Sequence, residues 1–223
     1  MTTQPTRHGI HFDPGDPPAL EPGCGAGARW LACLVLATPP LMAAPLEVQV
    51  ADATGKPLAG AVVFLESREA RAAVRPLPLV EIAQAARRFV PAVTVVSVGT
   101  AVTFPNRDTV RHHVYSFSAA KKFEIKLYVG TPTAPVVFEQ PGVAVLGCNI
   151  HDTMAAWIVV VDTPWYGQTG ADGRVAWLKV PAGSYRLRTW HPGLAVGVAA
   201  ADQALRVDTE AATAVVTLAG VTP

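Results

Sequence analysis

Between Leu46 and Leu218 the apolar residues fall at alternate positions or in short unbroken runs, and Gly or Pro interrupts nearly all of them. That spacing suits strands and leaves no stretch that reads as a helix of useful length. The runs Leu46 to Val50 and Ala61 to Leu65 flank a turn at Asp52-Ala-Thr-Gly55-Lys-Pro57. Ala155-Ala-Trp-Ile-Val-Val-Val161 is apolar throughout, as expected of a strand central in its sheet. Asp172-Gly173 marks a hairpin turn. Glu66 to Arg75 is polar, and with Pro76 and Pro78 it reads as a linker with room for one helical turn. Twenty Pro and 18 Gly in 223 residues fit a turn-rich, all-β protein. The length allows one large domain or two small ones, each with its own core. A net charge of +1 gives no reason to expect nucleic acid as a partner. There is no internal repeat, Gly-rich phosphate loop or nucleophile elbow.

The first 44 residues read as a leader. Arg29 precedes the apolar run Trp30 to Leu36, and small residues follow at Ala43 and Ala44 before Pro45. A basic residue, a short apolar core and small residues make a secretory signal peptide cleaved near Ala43 or Ala44. The apolar core is too short to anchor the chain in a membrane. The mature protein is therefore expected in the periplasm or outside the cell, with no integral membrane segment. Cleavage removes Cys24 and Cys33, so Cys148 becomes the only thiol. A lone exported Cys has no internal disulfide partner and is an idle buried thiol, an intermolecular partner or a metal ligand.

Cys148 lies in Leu146-Gly-Cys-Asn-Ile-His-Asp-Thr-Met154, directly after the apolar run Gly142 to Leu146. A thiol, an imidazole and a thioether at Cys148, His151 and Met154 are soft or borderline donors, which suit copper better than magnesium or calcium. A trigonal His2Cys site with a weak axial Met needs one more imidazole, and the pair His112-His113 can supply it. Strand periodicity sends these two neighbours to opposite faces, so only one of them can point into a core site.

These segments resemble the cupredoxins, the small blue copper proteins of the plastocyanin and amicyanin kind. The resemblance covers residues 79 to 162 and rests on Val98-Gly-Thr-Ala-Val-Thr-Phe-Pro-Asn-Arg-Asp108, His112-His-Val-Tyr-Ser-Phe117 and Gly142 to Met154. The short Cys-x2-His-x2-Met loop looks like the amicyanin type, and its surroundings look like those of cupredoxins labelled methylamine utilisation proteins. The resemblance implies a Greek-key β-sandwich that holds one type 1 copper ion, with His112, Cys148 and His151 as equatorial ligands and Met154 as the axial one. This chain has His113 where family members commonly carry Asn after the first ligand. His113, Asn106 and Asn149 are candidates to support the ligands.

The flanks, 45–78 and 163–223, resemble a carboxypeptidase regulatory-like domain of transthyretin type. The motifs are Val48-Gln-Val-Ala-Asp-Ala-Thr-Gly-Lys-Pro-Leu-Ala-Gly60, Thr169-Gly-Ala-Asp-Gly173 and Val180-Pro-Ala-Gly-Ser-Tyr185. The expected architecture is thus one β-sandwich inserted into a second, smaller, discontinuous one.

The resemblance implies single-electron carriage between redox partners. It does not imply catalysis, because four protein ligands leave no open position for a substrate. Two other functions fit the same segments: a copper carrier or sensor that does not exchange electrons, and an extracellular binding or adhesion module. Ten Lys or Arg against four acids between Arg68 and Lys126 could steer a protein redox partner with an acidic surface. His191, in Trp190-His-Pro192, reads as a loop residue and not as a ligand.

Overall fold

The computed structural model describes residues 43–222, so most of the expected leader lies outside the described residues. Ala43 and Ala44 open strand β1 (Ala43–Asp52), where Ala44 is fully buried and pairs with Val180. The strand β2 (Val62–Glu66) leads to a six-residue helix, α1 (Arg68–Ala73). Ser67 caps the helix by accepting the Ala70 N–H at 3.0 Å. Next come β3 (Val80–Glu81), β4 (Ala83–Ala85), β5 (Arg88–Val90), β6 (Val93–Ser97) and β7 (Thr100–Thr103). They are followed by β8 (His112–Ser118), β9 (Lys121–Tyr128), β10 (Val136–Phe138), β11 (Gly142–Gly147) and β12 (Ala155–Val161). The chain ends with β13 (Tyr166–Gln168), β14 (Arg174–Pro181), β15 (Gly183–Trp190), β16 (Ala201–Val207) and β17 (Ala212–Leu218). The fold is all-β, and α1 is the one helix among the described residues.

The middle of the chain forms a five-stranded sheet in the order β6-β12-β11-β8-β9 and a three-stranded sheet in the order β10-β7-β3. One buried cluster belongs to this region, and all of its fully buried members lie between Ile82 and Val160. Phe104 and Phe138 are its largest members with almost no exposure. The flanks form two further sheets, β14-β1-β17 and β13-β2-β15-β16, around a second cluster.

β12 joins the two clusters. Ala156, Ile158 and Val160 enter the first, while Val159 and Val161 enter the second. Burial on both faces is the physical reason its sequence lacks polar alternation. The two connections beside it are tied together, since the Arg71 Nε donates to the Asp162 carboxylate at 2.5 Å.

One turn acts differently from what its sequence suggests. The segment around Asp172-Gly173 does turn, with the Gly173 N–H donating to the Gly170 carbonyl at 2.9 Å. It is not a hairpin, because β13 pairs with β2 whereas β14 pairs with β1 in the other sheet. The Gly173 carbonyl is taken by the Val50 N–H at 2.8 Å, so the turn docks on β1 and the chain crosses between sheets. The Asp52 to Pro57 turn likewise connects β1 and β2, which lie in different sheets. Gly173 has φ +73°, and a Cβ there would sit 2.5 Å from the Val50 carbonyl oxygen. Gly173→Ala is therefore expected to cost on the order of 1–3 kcal/mol, read as a lower denaturation midpoint at unchanged slope.

Candidate metal centre

The ligand candidates come from the start of β8 and from the loop between β11 and β12. β11 ends at Gly147 and delivers Cys148, which is 4% exposed within the first buried cluster. The loop returns through a tight turn, where the Met154 N–H donates to the His151 carbonyl at 2.9 Å. Met154 is buried in the same cluster as Cys148. His112 opens β8 and is fully buried.

One ligand atom from each of His112, Cys148 and His151 lies within 4.8 Å of the others. The Cys148 Sγ is 3.9 Å from the His112 Nδ1, and the two imidazole centroids are 5.0 Å apart. Metal–nitrogen bonds near ~2.0–2.1 Å and metal–sulfur bonds near ~2.3 Å put two ligands of one ion roughly 3.5–4 Å apart. The sulfur–nitrogen spacing therefore fits a shared ion. The His151 Nδ1 is buried and has no hydrogen-bond partner, which is costly unless something else meets its lone pair or proton. Two imidazoles and a thiol within 4.8 Å of one another form a donor set that suits copper.

His112 and His113 do point to different faces. The Nε2 of His113 is 3.0 Å from a Glu124 carboxylate oxygen, although the pair lacks hydrogen-bond alignment. Its ring lies 5.4 Å from the Tyr115 ring, two residues on along the same face. His191 is far from this chemistry in its bonding: its Nε2 is 3.1 Å from the Ala59 carbonyl oxygen, and its Nδ1 accepts the Gly193 N–H at 3.0 Å. Of the supporting candidates, Asn149 is exposed. Asn106 instead holds the loop before β8, donating to the Val110 and Tyr128 carbonyls at 2.8 and 2.9 Å.

Sequence reasoning missed Asp108. Its carboxylate is 2.8 Å from the His112 Nε2 and accepts the Ala86 and Arg87 N–H groups at 2.7 and 2.9 Å. Those two residues adopt left-handed backbone with φ 50° and 57°, so the carboxylate secures a turn that ordinary side chains disfavour. The Arg87 N–H is the main cause that holds the Asp108 carboxyl below the usual carboxylate range, and His112 adds to it while partial burial opposes. An ionised Asp108 favours the His112 tautomer with its proton on Nε2, leaving the Nδ1 lone pair facing Cys148. The available signal was a carboxylate four residues before a candidate ligand, but loop spacing alone does not establish contact.

Beside the site, the Tyr128 hydroxyl donates to the Phe104 carbonyl at 2.5 Å and accepts from the Gln84 amide. Burial pushes its pKa up to about 12, from an ordinary 10.0. The folded state thus favours neutral Tyr128. Its contribution to stability is fully present below pH 10 and is lost as pH rises from there through about 12. Phenolate absorbance, followed together with denaturant midpoints across that window, checks this expectation.

No family model matches the chain, and no curated protein matches it. Several solved structures are similar over part of it. The copper-containing nitrite reductase of Thermus scotoductus SA-01 is 27% identical over 40% of this chain, with TM-score 0.35. The alignment spans only 23% of that reductase. A purple cupredoxin from Nitrosopumilus maritimus is 24% identical over 37% of this chain and 99% of its own, with TM-score 0.33. A reduced tryptophan-to-tyrosine variant of amicyanin is 20% identical over 44% of this chain and 98% of its own, with TM-score 0.35. Among the described residues, no helix is long and apolar enough to cross a membrane.

Proposed function

We propose that this chain is an exported type 1 copper protein that carries single electrons between redox partners. The observation that carries the reading is the convergence of ligand atoms from His112, Cys148 and His151 within 4.8 Å of one another. Met154, buried in the same cluster, would supply a thioether as a further donor. Copper held there would supply a one-electron couple. The protein's part is to hold the donors still. His112 is fixed by Asp108, Cys148 follows directly on a paired strand, and the loop carrying His151 is closed by a backbone hydrogen bond. A donor set that does not rearrange keeps the reorganisation on electron exchange small.

The half-buried His151, flanked by the exposed Asn149 and Ile150, is the proposed edge for electron transfer. Arg87, Arg88 and Arg111 are exposed and make no ion pair among the described residues, which supports an acidic protein partner. We also propose that residues 79–162 form a cupredoxin domain inserted between 45–78 and 163–223. The confinement of one buried cluster to Ile82 through Val160 supports that boundary.

Loading the mature chain with Cu(II) tests the reading. An intense visible thiolate band and a reversible couple are expected. Tight copper binding without reversible cycling would favour a carrier or sensor, and no uptake would favour a binding or adhesion module. Met154→Leu is expected to keep the band and raise the potential by removing a weak thioether donor, as read by voltammetry.

A further inference from the structure

His113 has no part in the proposed copper site, yet its side chain is only 7% exposed. Among the described residues, neither of its ring nitrogens has a hydrogen-bond partner. A neutral imidazole carries one N–H and one lone pair, and burying both unmet costs free energy. Local packing accounts for the burial without answering the nitrogens. Tyr115, two residues along β8 on the same face, lays its ring against the imidazole with the centroids 5.4 Å apart.

The group that does approach comes from the neighbouring strand. Glu124 stands opposite Tyr115 in the β8–β9 pair, and its carboxylate reaches to 3.0 Å from the His113 Nε2. Lys122 and Lys126 lie two residues to either side of Glu124 and are exposed, but its ion-pair partner among the described residues is His113. A hydrogen bond is normally made at 3.0 Å, and here the carboxylate stands off the line along which an Nε2 proton would point. One shared cation accounts for both the distance and the angle. Two ligands each about 2.1 Å from an ion, and at right angles around it, are about 3.0 Å apart, with each well to the side of the other's lone-pair axis. An imidazole with a carboxylate suits a borderline ion such as zinc(II) better than magnesium or calcium, which want oxygen alone. Glu124 is half exposed, so water can fill the remaining positions of an open site.

We propose that His113 and Glu124 form a second divalent-cation site, in which zinc(II) is bound by the His113 Nε2 and the Glu124 carboxylate with water completing its shell. The site lies on the other face of β8 from His112 and needs no copper to form.

Calorimetric titration with zinc(II) at neutral pH tests the proposal on the mature chain already loaded with one equivalent of Cu(II), which zinc does not displace from a site of that kind. One saturable equivalent of zinc is expected. Glu124→Gln replaces an anionic donor with a neutral amide and is expected to weaken zinc at least about tenfold. His113→Asn is expected to abolish binding. Should His113→Asn fail to fold, Glu124→Gln changes a half-exposed side chain and still decides. Absence of saturable binding to the parent, or undiminished binding to Glu124→Gln, overturns the proposal. In the copper-free chain zinc can also enter the Cys148 site, so two equivalents are expected there, falling to one in Glu124→Gln. A blue protein that takes up no zinc sinks this inference alone. A chain that stays colourless with Cu(II) but loses one zinc equivalent in Glu124→Gln sinks only the copper reading.

Discussion

Replacing Cys148 with Ser is expected to remove the visible band of the copper-loaded protein completely and to weaken copper binding by more than about tenfold, the step that ~1.4 kcal/mol represents. The band of such a site arises from charge transfer out of a thiolate, and Cys148 is the free cysteine of the described residues. Its Sγ is 3.9 Å from the His112 Nδ1, where an ion bonded to one can bond to the other. A serine hydroxyl is harder, holds its proton at neutral pH, and stands on a shorter bond, so it offers copper a poorer donor at a greater distance. The substitution changes little else: Cys148 is buried, and Ser nearly matches it in volume. Thermal unfolding of the metal-free protein should therefore move by only a few degrees. Loss of colour with a retained fold assigns the sulfur as a ligand. Colour that survives in Cys148→Ser, as read by absorption after Cu(II) titration, ends the type 1 assignment and the electron-carrier proposal with it.

How far the sequence spoke for itself varied with the kind of information. Strand identity was legible because it is local: the unbroken apolar run of β12 reflects its burial on two faces, into two clusters. The approach of His112 to Cys148 and His151 was legible too, because Cys148 and His151 share one loop and strand alternation lets only one of the 112/113 pair face them. Strand partnership was not. Asp172-Gly173 announces a change of direction, yet the Val50 N–H that meets the Gly173 carbonyl lies more than a hundred residues away, and no local rule selects it. For the same reason nothing in the sequence singled out Asp108. Its role depends on a left-handed turn at Ala86 and Arg87 that brings two backbone donors to its carboxylate from a different hairpin.

That distant support makes Asp108→Ala the second large effect expected. Carboxylates that back a metal-bound imidazole typically account for 10–100-fold in metal affinity, and Asp108 is built for that geometry, 2.8 Å from the His112 Nε2. Removing it does two things at once. The His112 ring loses the acceptor that selects its tautomer, so the proton can move to Nδ1 and block the lone pair aimed at Cys148. The Ala86 and Arg87 N–H groups also lose their acceptor, which frees a turn whose φ values of 50° and 57° are costly without it. Asp108→Asn separates these effects. An amide oxygen can still accept hydrogen bonds and hold the ring, but it carries no charge, and the oxidised, more positive metal gains most from a nearby anion. The asparagine variant is therefore expected to keep most of the copper affinity while its potential rises. The alanine variant is expected to lose affinity by the full 10–100-fold, as read by competition with a chelator of known strength. If both variants bind copper as the parent does and with its potential, then Asp108 is only a turn residue, and the orientation of His112 must come from the packing around β8 alone.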